Sequence, residues 1–130
     1  MEWKLDDDRP IWLQLSQQLA RRIVTGTYPP GSRLPSVREL AAEAGVNPNT
    51  MQRALAQLEA DGLALGGRTA GRTVTTDTAA IEAVRRRLAR ENGDAYLAAM
   101  ARLGYGRQAA IQLLKEENDN DRSDHLPGPQ

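Results

Sequence analysis

The sequence predicts a mainly α-helical chain that carries one small β-hairpin. Apolar residues recur at helical spacing between Gly-, Pro- and Asn-containing breaks, and the composition is rich in Leu and Ala with no Phe. A single stretch, "LALGGRTAGRTVTTD", places Leu63-Ala64-Leu65 and Thr73-Val74-Thr75 on either side of a Gly/Thr tip, the pattern of a hairpin. With 130 residues the chain has room for one small domain and an appendage.

The elements follow in order. Ile11, Leu15, Leu19 and Ile23 recur every four residues, with Trp12 and Val24 widening the stripe. Pro10 suits the first turn of this helix, Asp7 or Asp8 can cap it, and Gly26 supplies its stop. "TYPPGSRLP" cannot continue a helix. Ser36 and Glu39 then form a capping box, which starts a short helix through Val37, Leu40 and Ala41 to Ala44, closed by Gly45. Asn47 caps a third helix with Pro48 at its first position, and Met51, Leu55 and Leu58 form its buried stripe before Gly62. Two helices joined by a tight Gly-containing turn, after a supporting helix, form a helix-turn-helix, and the hairpin makes it a winged one.

Residues 1–77 are thus read as a winged helix-turn-helix domain. Residues 78–117 are read as a short helical dimerisation or effector segment. Ile81, Val84 and Leu88 mark one helix, capped by Asp77 or Thr78 and broken at Asn92-Gly93. Tyr96, Leu97, Met100 and Leu103 mark a second, and Ile111, Leu113 and Leu114 a third beyond Gly104-Tyr105-Gly106. None is long enough to stand alone, so their apolar stripes need a partner. From Asn118 the polar, Pro-containing tail to Gln130 is read as disordered.

Composition excludes several classes of function. The chain has no Cys, hence no disulfide, thiolate catalysis or Cys-based zinc site. No run of about 18 apolar residues occurs, and the acidic start "MEWKLDDDRP" is unlike a signal peptide, so a cytoplasmic chain with no membrane partner is expected. His125 stands alone in the tail and cannot build a metal site, and neither paired carboxylates nor a nucleophile with its base are found. No metal, cofactor or catalytic residue is therefore expected. The zero net charge hides an uneven distribution: residues 78–115 hold 7 basic and 3 acidic side chains, and residues 116–130 hold 1 and 5.

Residues 10–76 resemble the DNA-binding domain of the GntR family of bacterial transcription regulators. The resemblance rests on "LPSVRELA", "GVNPNT", "RA", "LE" and "GL" at family spacing, and on the wing "RTAGRTV". The C-terminal segment ending "LGYGRQAAIQLLKEE" looks like the YtrA subfamily, whose members carry two to three helices after the winged helix. The resemblance implies a homodimeric, operator-binding regulator, usually a repressor and often of transporter operons. It implies that Arg38 contacts phosphate or base, that Asn47, Pro48, Asn49 and Thr50 form the recognition-helix entrance with Gln52 and Arg53 beyond it, and that Gly71 lets the wing tip enter a minor groove, flanked by Arg68, Thr69 and Arg72. The sequence departs from the family pattern in two respects: Gly66-Gly67 at the wing base, where relatives carry polar or basic side chains, and Thr73, where an aromatic is common.

The residue chemistry points the same way. On a helix beginning at Pro48 with Met51, Leu55 and Leu58 inward, Asn49, Gln52 and Arg53 fall on the outer face. Asn and Gln pair with adenine, Arg with guanine, and Thr contacts phosphate or a thymine methyl. The free N–H groups of the first turn offer a phosphate site. Competing readings exist for each residue. Ser36 and Asn47 are caps before they are contacts, Arg38 can pair with Glu39 or Glu59, and Gly71 can be a plain turn glycine. Arg85-Arg86-Arg87 reads as a solvated helix face, with a dimer seam or flanking DNA as the alternative. A protein-interaction module would instead place an apolar patch over residues 47–53. A double-stranded operator and a second copy of the chain are the partners expected, with any small-molecule effector at the dimer interface.

Overall fold

The computed structural model describes residues 2–66 and 71–124, with side chains through Glu116. Five helices and one hairpin follow in chain order: α1 (Ile11–Val24), α2 (Val37–Ala44), α3 (Pro48–Ala60), β1 (Ala64–Leu65), β2 (Thr73–Val74), α4 (Thr78–Arg102) and α5 (Arg107–Asp124). One compact unit runs to Arg87 and a second begins at Leu88.

The core of the first unit is the set of apolar stripes visible in the sequence. Leu15, Leu19 and Ile23 of α1, Leu40 of α2 and Met51, Leu55 and Leu58 of α3 are all buried, with α3 packed against both other helices. Ile81 and Val84 from the first turns of α4 are buried as well. In α2 the Ser36 Oγ accepts from the Glu39 N–H at 3.1 Å, while the Glu39 carboxylate accepts from the Ser36 N–H at 2.9 Å. Gly45 then takes the left-handed conformation (φ 71°), which an L side chain adopts only under strain. It turns the chain directly into α3.

The hairpin is shorter than expected, two residues per strand, with Ala64 opposite Val74 and Leu65 opposite Thr73. It gains an edge from the turn before α2, which the sequence did not pair with anything. Gly31 N–H donates to the Val74 carbonyl, Val74 N–H to Ser32 and Leu34 N–H to Arg72, and Arg33 bridges Thr73 antiparallel. Three strands sharing an apolar side are more stable than an isolated two-stranded ladder.

Several expectations are corrected. Pro10 is the N-cap of α1 and neither Asp7 nor Asp8 caps it. Instead Gln14, 1% exposed, accepts from the Asp6 N–H and donates to the carbonyls of Asp6 and Arg9. A side chain one turn inside the helix thereby satisfies the segment ahead of it. Asn92-Gly93 does not break α4, which is continuous over 25 residues. A single helical Gly costs only about 1 kcal/mol relative to Ala and leaves the backbone N–H in place, unlike Pro. Among the described residues two helices, rather than three, thus follow the wing. The helix α5 also continues to Asp124, through residues 118–124 that were read as tail. That stretch contains neither Gly nor Pro to stop it. His125 and the remaining tail residues lie outside the described residues.

In the second unit Gly104 (φ 95°) ends α4, and the Tyr105 N–H donates back to Met100. Tyr96 donates its hydroxyl proton to the Ala110 carbonyl at 3.0 Å, and Ala110 is fully buried. Leu103, Tyr105, Ile111 and Leu114 remain exposed, Leu103 at 72%.

Candidate nucleic-acid interface

The entrance of α3 is built as its sequence implies. Asn47 is the N-cap, its Oδ1 accepting from the Asn49 N–H at 2.7 Å, and Pro48 occupies the first turn. Met51, Ala54, Leu55 and Leu58 are buried against the rest of the domain. Asn49, Gln52 and Arg53 are exposed, whereas Thr50 is half-buried. The helix is therefore fixed from behind by apolar packing while its opposite side offers amide and guanidinium groups.

Beside this helix lies an open groove of about 1000 Å³. Arg33 reaches it from the turn before α2, Ser36 and Arg38 from the start of α2, Gln52 and Glu59 from α3, and Gly71 and Arg72 from the wing. Three guanidinium groups thus collect on one surface of a chain with no net charge. Local charge, rather than the total, sets the potential a phosphate would meet. The Arg38 side chain is exposed, and both carboxylates that competed for it are engaged elsewhere: Glu39 with the Ser36 N–H and Glu59 with Arg72. Within the same capping box, the backbone N–H of Ser36 first, and its side chain second, hold the Glu39 carboxyl below the ordinary carboxylate range.

The Nε of Arg72 meets the Glu59 carboxylate at 3.2 Å, so this guanidinium is tethered to α3. The Gly66 departure explains how. A Cβ at residue 66 would stand 1.7 Å from the Glu59 carboxylate, so glycine leaves the space that the ion pair occupies. Gly71 has φ 81°, and a Cβ there would meet the Arg33 guanidinium at 3.0 Å. Its glycine is thus required both by backbone conformation and by the close approach of Arg33. Arg68 and Thr69 lie outside the described residues.

Two features of this domain were not legible in the sequence. Arg33 sits in a turn with no periodic signal, and only its pairing with Thr73 carries it to the wing. Trp12, placed in the α1 core stripe, is only half-buried, and its ring lies under the Arg53 guanidinium at 4.2 Å. The basic triplet resolves residue by residue. Arg85 donates to the Val24 carbonyl at the end of α1 and pairs with Glu82, Arg87 approaches Asp61 at the end of α3 at 3.5 Å, and Arg86 is exposed. Two of the three therefore act within the first unit as ties for α4.

A supporting helix, a glycine-turned helix pair and a hairpin beside the second helix define a winged helix-turn-helix DNA-binding domain. Residues 12–74 match the profile of the bacterial regulatory proteins of the gntR family. The chain is 30% identical to the HTH-type transcriptional regulator YhcF of Bacillus subtilis, over 88% of its own length and 95% of that protein's. It also resembles a solved GntR family transcriptional regulator from Listeria monocytogenes, with a TM-score of 0.76, 37% identity and coverage of 86% and 98%. A third match, 44% identical, is the HTH-type transcriptional repressor YtrA of Bacillus subtilis, over 42% of each chain. The chain belongs to the gntR family. It is a DNA-binding transcriptional regulator and not an enzyme. Among the described residues no helix is long and apolar enough to cross a membrane, and no group of three or more His, Cys, Asp or Glu could hold a metal.

Proposed function

We propose that the protein is a homodimeric, YtrA-like repressor that acts in the cytoplasm on a palindromic operator. The observation that carries this reading is the entrance of α3: a capped, apolar-backed helix that projects Asn49, Gln52 and Arg53 beside an arginine-lined groove. In this reading α3 lies in the major groove with Asn49, Gln52 and Arg53 toward base edges. Arg38, Thr50, the N-terminal backbone of α3 that Asn47 and Pro48 frame, and the Ser36 turn face phosphates. Gly71, with Arg68, Thr69 and Arg72, brings the wing toward a minor groove.

One half-site offers too few base contacts for useful specificity, so two copies are required. The exposed Leu103, Tyr105, Ile111 and Leu114 of the second unit supply the apolar surface for that pairing. A role as repressor of a transporter operon follows from the subfamily resemblance, with any effector at the dimer interface.

Gel-shift titrations separate the assigned roles. Arg38→Ala is expected to weaken binding to all duplexes alike, and Arg53→Ala or Gln52→Ala to relax preference at particular base pairs. Equal losses on every sequence from all three variants would reject the assignment. Sedimentation of Ile111→Glu is expected to give a monomer where the parent chain is a dimer. A monomeric parent would reject the dimer.

A further inference from the structure

We propose that Trp12 is a positioning residue of the DNA interface, whose indole face holds the Arg53 guanidinium as a preset donor fork. The proposal rests on the reading of α3 given above. Arg53 is exposed on the outer side of α3, and its carbon Cζ stands 4.2 Å from the centre of the Trp12 ring. An unrestrained arginine loses several rotatable bonds of freedom when it grips a base or phosphate. Stacking removes much of that freedom beforehand, and it leaves the N–H donors free, because they lie in the plane of the guanidinium and point past the ring edge.

The contrast with the other arginines is informative. Arg72 is ordered by the Glu59 carboxylate, and Arg22, although it also lies over the Trp3 ring, donates to the Tyr28 hydroxyl with Glu43 nearby, so each spends donors or charge on a polar partner. Arg53 instead rests on an aromatic face, which orders the group without neutralising it. A purely structural staple between α1 and α3 adds little here, since Leu15, Leu19, Met51 and Leu55 already bury that seam completely. The stack also explains why an indole occupies a half-exposed edge of α1 instead of a deeper core site.

The test uses the full chain and a duplex that the wild type selects from a randomised palindromic pool, with affinity read by fluorescence anisotropy. Trp12→Leu is expected to weaken binding roughly two- to fivefold, the scale of an exposed cation–π contact. It is also expected to relax preference at the same base pair as Arg53→Ala, and to add no further loss in the Arg53→Ala background. Trp12→Tyr, which keeps a ring face, is expected to retain most of the affinity. Equal losses from Trp12→Leu with and without Arg53, or no loss at all, overturn the proposal.

A second readout needs no Trp12 variant. With Trp3→Phe, Trp12 becomes the sole tryptophan of the two. Its emission is expected to shift on Arg53→Ala and, with Arg53 present, on adding the selected duplex. An emission unmoved by either overturns the proposal even if Trp12→Leu fails to fold. A wild type that selects no duplex, while its emission still responds to Arg53→Ala, rejects the DNA reading of α3 and the proposal with it, but not the stack.

Discussion

Glu59 of α3 holds Arg72 of the wing at 3.2 Å, and its carboxylate occupies the space that any side chain at residue 66 would take. Helix α3 and the wing are thereby joined through a charge pair that faces the groove. The pair also subtracts from the positive potential of that groove. Glu59→Gln is expected to cost less than about 1 kcal/mol of stability, the usual scale for a partly exposed ion pair. The same change is expected to tighten DNA binding severalfold, because it removes a like charge from beside the phosphates and releases Arg72. Anisotropy titrations over a range of salt check both effects, since an added phosphate contact steepens the salt dependence. Weaker binding by Glu59→Gln would mean that Arg72 works only in its tethered position.

Gly66→Ala probes the same relationship from the wing side. The group it displaces is the far end of a flexible side chain, so the fold is expected to survive with a loss of about 1 kcal/mol or less. Urea unfolding checks this. A loss no larger in the Glu59→Gln background is expected if the carboxylate contact is what alanine breaks.

The capping box gives a pH dependence of known sign. Glu39 is held below the ordinary carboxylate range by the Ser36 N–H and the Ser36 side chain. A carboxyl depressed in the folded state contributes stability above its unfolded pKa and loses that contribution as pH falls through its folded one. The stability gap between wild type and Glu39→Gln is therefore expected to be present at neutral pH and to shrink on acidification below the usual carboxylate range. Urea midpoints at neutral and acid pH measure it, and a gap independent of pH contradicts the assignment. Ser36→Ala is expected to cost about 1 kcal/mol at neutral pH, as loss of an N-cap does.

The basic triplet of α4 offers an internal control. Arg85 donates to the Val24 carbonyl at 2.6 Å, satisfying a carbonyl at the end of α1, whereas Arg86 is exposed. Arg85→Ala is expected to destabilise the chain by about 1 kcal/mol and Arg86→Ala by less than about 0.5 kcal/mol. Chemical denaturation of the two variants side by side checks the difference. Equal effects would return the triplet to a plain solvated face.

What could be read from the sequence was what short-range chemistry determines. The Ser36–Glu39 box, the Asn47 cap with Pro48, the Gly45 turn and the stripe of Met51, Leu55 and Leu58 each follow from residues a few positions apart, and all are present. The outer position of Asn49, Gln52 and Arg53 follows from that same stripe. What could not be read depends on partners distant along the chain. Arg33 reaches the wing only through strand pairing with Thr73, Trp12 meets Arg53 across 41 positions, and Gln14 acts on backbone ahead of its own helix. The reason for glycine at residue 66 likewise lies outside its neighbours, in the Glu59 carboxylate that takes the space of a side chain there. Asn92-Gly93 misled for a different reason: the propensity of Gly to end helices is small beside the continuity of a 25-residue helix.

The most direct test of the central claim is a ratio of two affinities. The full chain is titrated, at physiological salt, against the duplex it selects from a randomised palindromic pool and against a scrambled duplex of the same length. The expected result is a preference of about a thousandfold or more for the selected duplex, as specific regulators show. Affinities within a factor of about three of each other, the mark of phosphate attraction alone, would contradict the reading of α3 as the element that recognises sequence.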